Sequence, residues 1–259
     1  MVLPIPVGDS LRQRGFPPFT WLVILICLAA FAWARYFYSE LSTLVVDRCA
    51  LVPADLLALG RGLLADPGLA LSAPGILLRR GLAPLFGHLF LHATELHLVG
   101  NMLFLWVFGR GLERRLGWWR FPLFYLLCGL AAAACHMALH PGSRVPMVGA
   151  SGAIAGILGG YLVLFPRARI HLVIWALLPL QAQAPAFVFI LIWFLYQVAN
   201  AQHFLVGLEG TGGIAYAAHC GGFAAGIVLI GFFRLGRPAS RAAGGGGNKR
   251  KRKSGGRVQ

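Results

Sequence analysis

The chain is written in long apolar runs separated by short polar stretches. Six runs are long or apolar enough to cross a bilayer, near Phe19 to Tyr38, Phe86 to Phe108, Trp119 to Leu139, Ser151 to Phe165, Ala184 to Val198 and Gly212 to Phe233. About 20 helical residues span the hydrocarbon core, and shorter segments suffice where neighbours shield them. Backbone N–H and C=O groups in hydrocarbon must satisfy one another, so each run is expected to be helical. The expected fold class is all-α, a polytopic membrane protein of six transmembrane helices. Between the first two runs lies an insert, Ser39 to Leu85, with scattered charges and an amphipathic piece at Pro53 to Leu64. It reads as an interfacial loop domain. Ile170 to Leu180 is also apolar, but its 11 residues are too few to span. It reads as interfacial or re-entrant.

Composition agrees with the pattern. Of 259 residues, 58% are hydrophobic and 12% charged, about half the charged share of a soluble domain. The mean hydropathy is +0.72. This excludes disorder and most soluble folds. The net charge of +15 does not mark a nucleic-acid groove, because nine of 23 basic residues follow Phe233. They form a tail, expected to be disordered and to anchor topology on anionic lipid. No nucleic-acid partner is expected.

The basic residues also set the orientation. With the N-terminus in the cytoplasm, 17 basic residues fall inside and five outside, with Arg35 in the first run. Both termini are therefore expected in the cytoplasm. The expected organisation is a cytoplasmic segment 1–18, a six-helix domain 19–235 that includes the extracytoplasmic insert 39–85, and the basic tail 236–259. The short loops suit a bacterial plasma membrane.

All eight acids lie in loops or at the ends of runs. Proton-coupled transporters and intramembrane aspartyl proteases need buried carboxylates, so both classes are disfavoured. Any buried histidine is expected to work without an acid partner. Cys27, Cys49, Cys128, Cys135 and Cys220 show no CxxC pair and no zinc spacing, so no metal site and no cofactor is expected.

The remaining polar residues in the runs carry the chemistry. His88, His92 and His97 enter the second run, and His97 and Asn101, four apart, share a helix face. Each is also compatible with a structural hydrogen bond between helices. The fourth run opens Gly149-Ala150-Ser151-Gly152-Ala153-Ile154-Ala155-Gly156, and the sixth has a small face at Ala218, Gly222 and Gly226 beside His219. Small faces let helix backbones approach closely, which brings Ser151 and His219 within reach of a hydrogen bond. A serine hydroxyl becomes a nucleophile when a neighbouring base takes its proton, and a neutral imidazole suits that task near pH 7. Ser151 also opens a helix, where free N–H groups favour negative charge. An oxyanion on a scissile carbonyl is then held by the Ser151 N–H and by donors opposite, for which His97 and Asn101 are placed.

The run from His92 to Met102 with its HxxxN element, Phe108-Gly109 and Leu112-Glu113, Gly149-Ala150-Ser151-Gly152, and Ala218-His219 with Gly222 and Gly226 together resemble the rhomboid intramembrane serine proteases. The likeness covers roughly Phe19 to Phe233. It implies a six-helix rhomboid-like bundle in which Ser151 is the nucleophile and His219 the base, a dyad without an acid. It implies that His97, Asn101 and the Ser151 N–H form the oxyanion hole, supported by Gly149, Gly152, His92 and Gly222. It also implies a lateral gate from the fifth helix and the loop Ala199 to Thr211, and substrates that are transmembrane segments with a small residue before the cut. Two features depart from the family pattern. Ala155 stands where some bacterial members place a tyrosine under the catalytic histidine, so other contacts must orient His219. The Trp-Arg pair usual before the second helix is missing at its normal distance. Two other readings stay open, a noncatalytic rhomboid-like binder of membrane clients and a small transporter.

Overall fold

The computed structural model describes residues 4–11, 15–37, 48–68, 72, 74–175, 179–205 and 216–234. The N-terminal strand β1 (Pro4–Asp9) is followed by α1 (Pro18–Ala32), which runs on through a wider turn, Trp33–Phe37. Within the insert, α2 (Pro53–Ala65) coincides with the amphipathic piece expected there. Then come α3 (Glu95–Phe104), a π-helical stretch Leu105–Gly109 and α4 (Arg110–Leu116), which together make one rod. The long helices that follow are α5 (Arg120–Leu139), α6 (Ser151–Leu164), α7 (Ala186–Leu205) and α8 (Tyr216–Arg234), while short helical turns cover Pro74–Ile76, Leu77–Leu82 and Ala83–Gly87 before α3. Among the described residues, Pro18–Tyr36, Arg120–Leu139 and Tyr216–Arg234 are long and apolar enough to cross a membrane, and two shorter apolar helices lie at Ser151–Leu164 and Ala186–Asn200. The molecule is a helical integral membrane protein. Of the loop expected at Ala199 to Thr211, residues 199–205 instead continue helix α7, and 206–211 lie outside the described residues, as does the basic tail 236–259.

The core is built on α6. Every residue from Gly152 to Tyr161 is buried, so over this stretch the helix has no lipid face and reads as hydrophobic all round. Small residues make that possible. A methyl group on Gly152 would come 2.7 Å from the Ala132 Cβ of α5. On the other side, Gly222 and Gly226 of α8 lie directly against the carbonyls of Gly152 and Gly156. Helices α6 and α8 thus pack backbone to backbone, and α5 closes on α6 through its small side chains Ala132 and Cys128, which larger side chains at the glycine positions would prevent.

The start of α1 is held from a distance. Its first residue is Pro18 after Pro17, and its N-cap supplies no side-chain hydrogen bond. Glu113 of α4 supplies it instead, accepting from the backbone N–H groups of Phe19 and Thr20, each at 2.8 Å, and from the Thr20 hydroxyl at 2.6 Å. These are orphan donors of a helix N-terminus, and a carboxylate there also meets the positive dipole end. Glu113 is 2% exposed. Glu113→Ala is expected to lose about 3 kcal/mol, because it strands buried donors. Thr20→Ala removes only the hydroxyl partner and is expected to lose about 1 kcal/mol. Thermal unfolding midpoints in detergent, falling in that order, check both.

Two expectations are corrected. Ile170 to Leu180 is not a re-entrant segment, since it forms parts of β2 (Arg169–Trp175) and β3 (Pro179–Pro185). Their sheet has the order β1-β2-β3, antiparallel throughout, with a bulge between Pro6 and Gly8 of β1. Ile170 and Leu172 are buried on alternate positions, a strand period. An open-edged sheet leaves backbone groups unpaired, which hydrocarbon does not tolerate, so this hairpin belongs on the water side. The sheet is tied to α6 through β1, where the Tyr161 hydroxyl donates to Asp9 Oδ2 at 2.9 Å.

The second correction concerns the second run, whose helix starts at Glu95 rather than at Phe86. Phe86 and Gly87 end a short helix, His88–Phe90 is a 3-10 turn, and Thr94 caps α3 by accepting from the His97 N–H at 3.1 Å. His92 therefore precedes the helix that carries His97 and Asn101.

Candidate active site

Ser151 is the first residue of α6. The turn before it is set by Gly149, whose φ of +125° favours glycine. The Gly149 N–H is fixed to the His88 carbonyl at 2.8 Å, and His88 Nδ1 is in turn 2.9 Å from the Pro84 carbonyl. The chain before the serine is thus anchored to the segment leading into α3.

His219 lies in the first turn of α8 and is buried. Its Nε2 is 2.7 Å from Ser151 Oγ. The approach of α8 onto α6 at Gly222 and Gly152 produces this distance, because Gly222 is three residues beyond His219 on the same helix. Serine hydroxyl and imidazole thus share a part-buried hydrogen bond between two apolar helices, a geometry suited to proton transfer.

Across from this pair stands the N-terminal turn of α3. A methyl group on Gly149 would come within 2.8 Å of His97 Nε2 and 3.6 Å of Ser151 Oγ, so imidazole and hydroxyl flank the same small space. Asn101 is buried, and its Nδ2 has no acceptor among the described residues. The His92 and His97 rings meet edge to face at 5.2 Å. The structure therefore gathers Ser151, His219, Gly149 and His97 around one space, with Asn101 one turn below His97 and His92 behind it. Gly152 and Gly222 serve the helix crossing instead of facing that space.

The sequence reading passed over Gln197. This buried residue of α7 places its Oε1 2.7 Å from His219 Nδ1. An amide at the end of an otherwise apolar run was its one signal, since polar side chains at membrane depth need partners. No cluster of His, Cys, Asp or Glu fit to hold a metal occurs among the described residues. All five cysteines are free. A separate cavity of about 1220 Å³ lies beneath α2 beside Arg48, Asp55, Arg79 and Arg80, and none of the site residues lines it.

Fold and site together define a helical membrane protein with a serine and a histidine paired between two buried helices. The rhomboid domain matches residues 79–236, well over half of the sequence and all of the site. The chain belongs to the rhomboid family. It is 32% identical over 148 residues to the mitochondrial rhomboid protein 1 of Saccharomyces cerevisiae, covering 56% of this chain and 40% of that protein. It is 35% identical over 150 residues to RHOMBOID-like protein 4 of Arabidopsis thaliana, covering 58% and 33%. It is 42% identical over 72 residues to the rhomboid protease GluP of Bacillus subtilis, covering 28% and 14%. The chain spans less than half the length of each of these relatives.

Proposed function

We propose that this chain is an intramembrane serine endopeptidase that cuts transmembrane segments of other membrane proteins through a Ser151–His219 dyad. The observation that carries the reading is the 2.7 Å contact between Ser151 Oγ and His219 Nε2 at the start of a buried helix. Membership of a family that includes a named protease adds support.

In this mechanism Ser151 Oγ attacks the carbonyl carbon of the scissile peptide while its proton passes to His219 Nε2. The oxyanion forms in the space beside Gly149, where the Ser151 N–H, His97 and the Asn101 amide donate to it. His219 returns the proton to the leaving amine, and the C–N bond breaks. Water then gives its proton to His219, attacks the acyl-enzyme and releases the new carboxylate, while Ser151 regains its hydrogen. No step needs a metal or cofactor. The basic tail 236–259 and segment 1–18 lie on the cytoplasmic side in this reading, and the domain 19–235 cuts from the opposite face, where α3 and α6 begin. The mitochondrial names among the relatives lend no support to a bacterial plasma membrane.

The test is direct. Purified protein is reconstituted with a panel of single-span substrates, and the products are read by mass spectrometry. The expected result is a cut within or beside the span, with a free new N-terminus, that Ser151→Ala eliminates. Intact substrates held in a stable complex by wild type and Ser151→Ala alike would overturn the reading and leave a binder.

A further inference from the structure

We propose that Gln197 is the positioning residue that holds His219 in the tautomer able to accept the Ser151 proton, an inference that rests on reading Ser151 and His219 as the reacting pair. Gln197 Oε1 is 2.7 Å from His219 Nδ1. Gln197 Nε2 donates to the Trp193 carbonyl, one turn earlier on α7, at 3.4 Å. That second contact fixes the amide, because turning it over would set its oxygen against another carbonyl oxygen. An amide oxygen only accepts, so Nδ1 must carry the ring proton. A neutral imidazole has one N–H, which leaves the lone pair on Nε2, facing Ser151 Oγ at 2.7 Å. In the other tautomer Nε2–H would face the hydroxyl, and the serine proton would have no acceptor.

The surroundings leave this task to Gln197. Trp193 of α7 lies 6.0 Å from the His219 ring and Tyr216 of its own helix 6.3 Å. Neither ring offers Nδ1 an acceptor among the hydrogen bonds described. Among the described residues, the titratable groups that act on His219 are His97 from α3 and His136 from α5, while Tyr196 of α7 faces Tyr216. None of them is an acid. Ala155 of α6, buried one turn after the serine, has no side chain long enough to support the ring. An amide acceptor holds Nδ1–H without placing a charge in the apolar interior, and the bond strengthens as the imidazolium forms. The contact comes from α7, a helix that carries neither reacting residue, so the competence of the base depends on how α7 is seated against α8.

The experiment compares wild type, Gln197→Met, Gln197→Glu and Ser151→Ala in cleavage of one reconstituted single-span substrate across pH. Gln197→Met keeps the bulk and removes the acceptor. It is expected to lower kcat about 10- to 100-fold with KM within about twofold. Gln197→Glu restores an acceptor and adds negative charge beside Nδ1, which favours the imidazolium. Because the base must be neutral to act, the acid limb of the rate profile is expected to move up by about one pH unit, with more activity than Gln197→Met at high pH. A residue that only filled space would leave that limb unmoved. An active wild type and a dead Ser151→Ala, together with a Gln197→Glu limb at the wild-type position, would overturn the proposal and leave the dyad standing. If Gln197→Met fails to fold, the Gln197→Glu limb decides alone. Full cleavage by Ser151→Ala would instead remove the dyad itself.

Discussion

Replacing Ser151 by alanine is expected to reduce cleavage of a membrane substrate by about 10,000-fold or more, and His219→Ala by a similar factor. The two residues form a unit. Ser151 without the imidazole is a neutral, half-buried hydroxyl with no base to take its proton, and His219 without the hydroxyl has nothing to activate but water. The double variant is therefore expected to be no worse than the worse single one, because each change already removes the whole step. Ser151→Ala removes only a hydroxyl and should change the unfolding midpoint little, whereas His219→Ala also strands the buried Gln197 Oε1 and leaves a void, so its midpoint is expected to fall. Initial rates on a reconstituted substrate, with midpoints measured on the same samples, check this. A His219→Ala variant retaining more than one hundredth of the rate would mean that another group takes the proton.

The second large effect is expected from a single methyl group. Gly222→Ala places a Cβ against the Gly152 carbonyl, and both atoms belong to backbone. Neither can rotate away, so α8 must shift off α6. His219 rides on the same helix three residues earlier, and its 2.7 Å contact with Ser151 Oγ cannot survive such a shift. Misplacing a catalytic group by about 1 Å costs roughly 100-fold, and that is the loss expected in cleavage. Gly226→Ala meets the Gly156 backbone one turn further on and is expected to lower the unfolding midpoint as well. Gly231→Ala is the control, because nothing lies within 4 Å of a methyl group there. It is expected to leave activity unchanged and stability equal or slightly higher, since alanine favours helix. Wild-type activity in Gly222→Ala would contradict the close crossing of α6 and α8.

Which parts of this arrangement were legible in the sequence follows from how local each signal is. Ser151 and its glycines form a contiguous motif at a helix start, and the spacing of Ala218, Gly222 and Gly226 announces a face made for another backbone. The pairing of these two faces needed only the rule that small residues meet in membranes. The start of α3 was harder to read. Phe86 to Leu91 is as apolar as a helix interior, and only Thr94 followed by Glu95 and His97 marked the true N-cap. The sheet was out of reach for a different reason. β1 and β2 are about 160 residues apart in the chain, and no local pattern in Ile170 to Leu180 names Pro4–Asp9 as its partner. Glu113 read as a residue at the end of a run, whereas its carboxylate caps a helix 93 residues away.

Gln197 shows the same limit inside the site. The loss of the tyrosine at Ala155 said that something else must orient His219, but a glutamine on the fifth helix has no motif around it. Its partner is 22 positions away, and only the packing of α7 on α8 brings the two together.

The central claim is that Ser151 is an activated nucleophile. The most direct measurement is covalent labelling of the purified protein with a fluorophosphonate, followed by peptide mass spectrometry to locate the adduct. The expected result is one adduct on Ser151 in the wild type and none in His219→Ala. A folded wild-type sample that stays unlabelled while a known rhomboid protease reacts alongside, or an adduct on any other residue, would contradict it.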